Sequence, residues 1–238
     1  MSRLCLVGAS LPEKCFRELT YLGYDVLKLP ENERLPYPVS THLDMSVKVI
    51  GCRLYLFRDY YELCKRLFTD NFVRKLCICA GSLGRDYPHD IRLNMLTVSK
   101  YLIGRLDMCP TELLSAATEL GLEPIRCRQG YAACSTCVVG DAAITQDVGM
   151  HRLFERLGVP SLLVSGAIRL DGYGSGYEGF IGGASGYDSD SRCVFFAGSL
   201  DAHPDGAKIR KFCSYHGVRA YSLSDETLFD CGGIIFVN

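Results

Sequence analysis

Ser135-Thr-Cys-Val-Val-Gly-Asp-Ala-Ala-Ile-Thr-Gln-Asp147 reads as two short apolar runs folded back on each other at Gly140-Asp141 and ending in an aspartate. Val47-Lys-Val-Ile-Gly-Cys-Arg-Leu-Tyr-Leu-Phe-Arg-Asp59 repeats the phrase, with its turn at Gly51-Cys52. Both look like tight hairpin turns, in which glycine readily supplies the positive φ. A helix-period apolar set follows each aspartate: Met150/Leu153/Phe154/Leu157 after the first, Leu63/Cys64/Leu67/Phe68 after the second.

The same strand–polar–helix phrase occurs five times along the chain. Leu4–Val7, Leu54–Phe57, Tyr101–Ile103, Ala142–Ile144 and Val194–Phe196 are the opening strands. They feed Ser10, Asp59, Asp107, Asp147 and Asp201, which are spaced by 49, 48, 40 and 54 residues. Such side chains suit N-caps, because their oxygens accept from the free N–H groups of a first helical turn. Gly23, Gly121, Gly158 and Gly217 sit where four of the helices should stop. Second strands follow at Tyr24–Leu29, Lys75–Cys79, Leu122–Cys127, Ser161–Val164 and Val218–Tyr221. A period near 48 in 238 residues leaves room for five units, and repeats of that length point to a closed array. The last strand, Gly233–Val237, would pair with Leu4–Val7, with Asn238 and Met1 at the broken turn. The expected fold is α/β: a five-bladed ββαβ propeller with pseudo-fivefold symmetry, a single domain over 1–238, closed by pairing of its N- and C-terminal strands.

A hydrophobic content of 48% against 22% charge allows a large core. A net charge of −1 gives no electrostatic case for nucleic acid or an anionic membrane as partner. The basic residues look scattered, and Lys208-Ile-Arg210-Lys211 reads as a solvated helix face. No apolar stretch approaches the length of a membrane span and no signal-peptide pattern opens the chain, so the expected location is cytoplasmic. The 13 cysteines mostly occupy apolar positions and read as buried thiols of a reducing compartment. Cys134-Ser-Thr-Cys137 has CxxC spacing but neither a second such pair nor a histidine pair, so no metal and no cofactor are expected. Gly8-Ala-Ser10 after the first strand lacks the remaining glycines of a nucleotide-binding loop.

Five crossing segments should converge on the ring axis: Thr41–Asp44, Pro88–Asn94, Cys134–Thr136, Gly182–Ser185 and Phe229–Gly233. The axis is the one place every unit can reach, so a polar constellation there is the default site. His42, Asp44, Asp90, Asn94, Cys134 and Cys231 are the side chains with chemistry to offer. Asn is disfavoured in the strand expected around Asn94, which points to a specific partner. His151, His203 and His216 fall on helices or their leads and read as surface residues. Gly166–Ser191 carries seven glycines between Gly172 and Gly186, with tyrosines among them. It reads as a mobile lid over the axial pocket.

A fivefold ββαβ ring with a C-terminal cysteine beside Gly232-Gly233 resembles the pentein, or guanidine-modifying-enzyme, superfamily. The phrases HLD, GYAACSTCVV, ITQD, GFIGGASG and FDCGGI look like those of a bacterial branch of it. That superfamily includes arginine and agmatine deiminases, dimethylarginine hydrolases and amidinotransferases. Their cysteine attacks a guanidinium carbon, assisted by histidine and gripped by carboxylates. The resemblance implies Cys231 as nucleophile and His42 as proton carrier, with Asp44, Asp90, Asn94 and Cys134 around the substrate. It does not transfer in register. In the deiminases the His-x-Asp phrase lies in the unit before the cysteine; here it lies in the unit after it around the ring. Gly182-Gly183-Ala184 stands where a histidine would be, and Cys134 where a carboxylate would be. Two functions follow: a Cys-dependent hydrolase or transferase acting on a guanidine- or amidine-like small molecule, or a non-catalytic binding protein. The ribosome anti-association factor, a non-enzyme, resembles the same ring.

Overall fold

The computed structural model describes residues 3–68, 72, 75–173 and 176–237. Among the described residues fifteen strands form five three-stranded sheets, each with an opening strand at its centre. The central strands are β1 (Arg3–Val7), β4 (Arg53–Phe57), β7 (Tyr101–Gly104), β10 (Ala142–Thr145) and β13 (Cys193–Phe196). Each pairs in parallel with the strand that follows its helix: β2 (Tyr24–Lys28), β5 (Leu76–Cys79), β8 (Glu123–Arg126), β11 (Ser161–Leu163) and β14 (Arg219–Ser222). A parallel partner needs a crossover of a dozen or more residues, and the helices supply it. On its other side each central strand pairs antiparallel with an inner strand: β3 (Val47–Ile50), β6 (Leu96–Val98), β9 (Thr136–Val139), β12 (Ser185–Asp188) and β15 (Ile234–Val237). Residues of all five inner strands line one axial cavity of about 250 Å³, among them Lys48, Thr97, Val138, Tyr187 and Phe236.

The ring closes as its repeats demand. Strand β15 pairs antiparallel with β1 in the register Leu4↔Val237 to Val7↔Ile234. The turn expected at Met1 and Asn238 lies outside the described residues. The hairpins at Gly51 and Gly140 take φ of 58° and 63°, and Gly23, Gly121, Gly158 and Gly217 end their helices at φ of 66° to 87°.

The main helices are α1 (Glu13–Tyr21), α3 (Arg58–Cys64), α4 (Thr111–Glu119), α5 (Val148–Leu157) and α6 (Gly206–Tyr215), and a short α2 (Leu43–Ser46) sits in the first crossing. Each long helix buries one stripe on its sheets, such as Met150, Leu153 and Phe154 of α5. A large side chain such as Phe154, buried completely, stabilises by about 1.5–3 kcal/mol.

The helix starts correct the capping expectation. Only Asp147 caps as predicted, its Oδ1 accepting from the Met150 N–H at 2.8 Å. Helices α1 and α4 start after Pro12 and Pro110 instead. Ser10 turns its hydroxyl to the Cys231 carbonyl, and Asp107 pairs with Arg105. Asp59 lies inside the first turn of α3, and Asp201 sits in a 3-10 turn ahead of α6.

Candidate functional site

The five crossings meet in a closed belt of hydrogen bonds. The Asp44 N–H donates to the Gly232 carbonyl at 2.9 Å, joining the first crossing to the last. Gly183 links the fourth crossing to both neighbours: its N–H donates to the Cys134 carbonyl at 3.0 Å, and its carbonyl accepts from Cys231 N–H at 3.0 Å and Gly233 N–H at 2.8 Å. Asn94 makes the two remaining joints with its side chain. Its Nδ2 donates to the Asp44 carbonyl at 3.2 Å, while Oδ1 accepts from the Ala133 and Cys134 N–H groups at 2.9 and 3.3 Å. Asn94 precedes β6 instead of lying within a strand, so both faces of its amide are free for this role.

Inside the belt, Cys134 and Asp44 form a buried pair. The Cys134 thiol donates to Asp44 Oδ2 at 2.8 Å and accepts from Asn94 Nδ2 at 2.9 Å. Burial raises the Asp44 carboxyl to about 6, opposed by His42 and reinforced by Asp230. Burial, then Asp44 and Asp230, push the Cys134 thiol well above its ordinary range. Asp44 Oδ1 is buried without a hydrogen-bond partner among the described residues, and so is Asp90 Oδ1. The other Asp90 oxygen accepts from the Tyr131 hydroxyl at 2.9 Å, and burial raises this carboxyl too.

His42 faces Asp230, not a thiol. Its Nδ1 lies 3.7 Å from Asp230 Oδ1, with both side chains almost wholly buried. Asp230 Oδ2 accepts from the Phe180 N–H at 2.8 Å and Oδ1 from the Gly232 N–H at 3.1 Å. Its carboxyl is raised by burial, an effect that His42 opposes. Gly183 has to be glycine here, since a Cβ would stand 2.0 Å from Asp230 Oδ1. Asp230 lies in the fifth crossing expected at the axis but is not among the candidate site residues, although a carboxylate directly before Cys231 was a usable signal.

Cys231 lies on the other side of the same backbone. It is fully buried in the cluster of Cys5, Val7, Leu11 and Cys15, its Sγ 3.5 Å from the Gly183 carbonyl, and burial pushes its thiol well up. The structure therefore brings together Asp44, Asn94 and Cys134, with His42 and Asp230 beside them, and sets Cys231 apart. Cys134 and Cys137 belong to different core clusters. Among the described residues no group of His, Cys, Asp or Glu is placed to hold a metal ion.

Burial, then Asp230, Asp90 and Cys134, raise the Tyr173 hydroxyl, and its ring centroid lies 5.4 Å from that of Tyr177. Gly174 and Ser175 of the expected lid lie outside the described residues. A neighbouring cavity of about 310 Å³ is lined by Glu31, Tyr37, His42, Asp171, Phe229 and Asp230. At Phe229 the chain already stacks a guanidinium: Arg169 sits 4.6 Å from the ring centroid and 3.4 Å from Asp171. His203 departs from its expected surface position. It is buried, with Nε2 2.7 Å from the Gly166 carbonyl and Nδ1 accepting from the Asp205 N–H at 3.1 Å.

Residues 6–235 match the family described as "Family of unknown function (DUF6873)". The chain belongs to that family. No curated protein matches it. Among solved structures it is similar to three of dimethylarginine dimethylaminohydrolase. An adduct with 4-chloro-2-hydroxymethylpyridine is 11% identical with a TM-score of 0.55, over 94% of this chain and 93% of that one. The S-methyl-L-thiocitrulline adduct of a histidine-to-glycine variant is 9% identical with a TM-score of 0.57, over 94% and 93%. The citrulline complex of a cysteine-to-serine mutant from Pseudomonas aeruginosa is 9% identical with a TM-score of 0.53, over 94% and 92%. At these identities the likeness establishes the pentein fold of this DUF6873 chain. Among the described residues no helix is long and apolar enough to cross a membrane.

Proposed function

We propose that the axial cluster binds a planar cation of the guanidine or amidine class and that Cys134 is the thiol that reacts with it, as in a hydrolase or transferase. One observation carries this reading: the Cys134 thiol donates to Asp44, a carboxylate with a pKa of about 6 whose second oxygen is buried without a hydrogen-bond partner among the described residues. A guanidinium supplies donors in a plane, and carboxylates accept them in pairs. Asp44, Asp90 and Asp230 are three such acceptors. Dimethylarginine dimethylaminohydrolase, whose fold this chain shares, is named for chemistry on a guanidine derivative, and two of its similar structures are adducts.

The chemistry follows from charge. In the free protein burial, and then the charges of Asp44 and Asp230, hold the thiol in its neutral form. A bound cation offsets those charges and lowers the thiol pKa. Cys134 Sγ then attacks the guanidinium carbon while its proton passes to Asp44. The C–N bond breaks, and the leaving amine departs with that proton. Water next adds to the thiouronium carbon, the S–C bond breaks, and the thiol is restored. With an amine in place of water, the same steps transfer an amidino group.

A second reading, ligand binding without chemistry, is favoured by the burial of both Cys134 and Cys231 as neutral thiols. Labelling with 2-chloroacetamidine, compared with chloroacetamide and read by mass spectrometry, separates the two. Amidine labelling is expected at Cys134, at least about tenfold faster than amide labelling, a gap of roughly 1.4 kcal/mol. It should be lost in Cys134→Ser and kept in Cys231→Ser. Selective labelling at Cys231 would return the nucleophile's role to that residue. Unselective labelling at both would leave the binding reading.

A further inference from the structure

Away from the axis, the fold gathers four arginines that the sequence keeps apart. Arg126 ends the edge strand β8 and Arg128 follows two residues later, the spacing that returns to one side of an extended chain. Arg152 and Arg156 are one turn apart on α5, the spacing that shares a helix face. Strand and helix come from successive units, and all four arginines line the groove between them, a cavity of about 810 Å³. All four are exposed.

The chain offsets the charge in this groove only in part. Asp147 is the one carboxylate lining it, and both its oxygens are already engaged, with Gln129 Nε2 and the Met150 N–H. Arg126 reaches Asp107 only at 3.7 Å, and Asp107 is held at 3.0 and 2.7 Å by the fork of Arg105. Among the described residues Arg128, Arg152 and Arg156 make no ion pair, whereas Arg17, Arg34 and Arg210 each find a carboxylate. The first turn of the ten-residue α5 opens on the same groove, where its aligned peptide dipoles add positive potential. The whole chain carries a net charge of only −1, so this is a local concentration of charge.

We propose that the groove between β8 and α5 binds a small molecule carrying two or more phosphate groups, held by Arg126, Arg128, Arg152 and Arg156. Guanidinium forks match phosphate oxygens in pairs, and four of them match the charge and oxygen count of a diphosphate or triphosphate. The volume falls within the roughly 300–1,000 Å³ of small-ligand sites. The site is distinct from the axial cluster, and its occupancy neither requires nor excludes chemistry there.

Titration calorimetry of the full chain with inorganic tripolyphosphate tests this. Saturable one-to-one binding is expected, weakening as salt rises. It should fall at least about tenfold in Arg152→Ala/Arg156→Ala and in Arg126→Ala/Arg128→Ala, as loss of charge-assisted contacts implies. Lys211→Ala/Arg219→Ala, which removes exposed charge elsewhere, should bind like the parent. Circular dichroism melting checks that the variants stay folded. Absence of binding, or binding that survives both groove variants, would overturn the proposal. Tighter and length-dependent binding of a single-stranded oligonucleotide would overturn it too, because the groove would then read a polymer.

Discussion

Asp44 carries the sharpest consequence of the belt, since its carboxyl titrates near 6 in the native state against an ordinary 3.8. Between those values the folded protein binds more protons than the unfolded chain. Unfolding free energy therefore falls as pH rises through about 4 to 6, and the penalty is fully present above both values. A shift of about two units corresponds to roughly 3 kcal/mol. Asp44→Asn keeps an acceptor for Cys134 and removes the titration. Urea unfolding from pH 4 to 7.5 should show the variant gaining on the parent by up to about that amount across the window; a constant difference would mean that Asp44 titrates at its ordinary value. Asp90 and Asp230 are common to both proteins and drop out of the comparison to first order. The sequence could place His42, Asp44, Asn94 and Cys134 on the axis because it showed them in crossings. It could not tell which of Asp230 and Cys231 faces inward. That depends on one step of irregular backbone, where neither period 2 nor period 3.6 assigns a side.

Among the elements, the strands were legible because five apolar runs are each bounded by turn residues, and the helix ends because Gly23, Gly121, Gly158 and Gly217 adopt positive φ. The helix starts were not. Proline fixes φ and lacks an N–H, so Pro12 and Pro110, both at φ −57°, open their helices without any side-chain cap. A reading that weighed proline position above aspartate recurrence would have found them. The distinction is measurable. Asp147→Ala should lower unfolding free energy by about 1 kcal/mol or more, through loss of the Met150 cap and the Gln129 contact. Asp201→Ala removes an exposed ion pair with Arg210 and should cost under about 0.5 kcal/mol. Equal losses would mean that the recurrent aspartates share a role the cap geometry does not explain.

For the molecule as a whole, closure does what no blade does alone: it brings the chain's last crossing against its first, so that Gly232 accepts from Asp44 and the belt has no open end. The succession of units around the ring sets α5 beside β8 of the previous unit, which is how arginines 24 residues or more apart come to line one groove. Periodicity revealed the ring, whereas a charge patch assembled across a unit boundary has no signature along the chain. If the ring is the structural unit, the place where it is cut should matter little. The β15–β1 pair, Leu4↔Val237 to Val7↔Ile234, is the counterpart of the β9–β10 hairpin, Val139↔Ala142 to Thr136↔Thr145. A circular permutant joining β15 to β1 through a short Gly-rich linker and opened at Gly140-Asp141 should unfold cooperatively and keep the parent's amidine labelling, because exposed turns tolerate relocation of the termini. Deleting Ile234–Val237 removes a strand whose residues are largely buried and leaves β1 with an unpaired edge at the axis. That variant should lose cooperative unfolding by circular dichroism. An open array would behave differently: deleting an end strand would cost a single blade, and permutation would break the stacking order. A permutant that melts broadly beside a deletion that melts sharply would therefore refute closure.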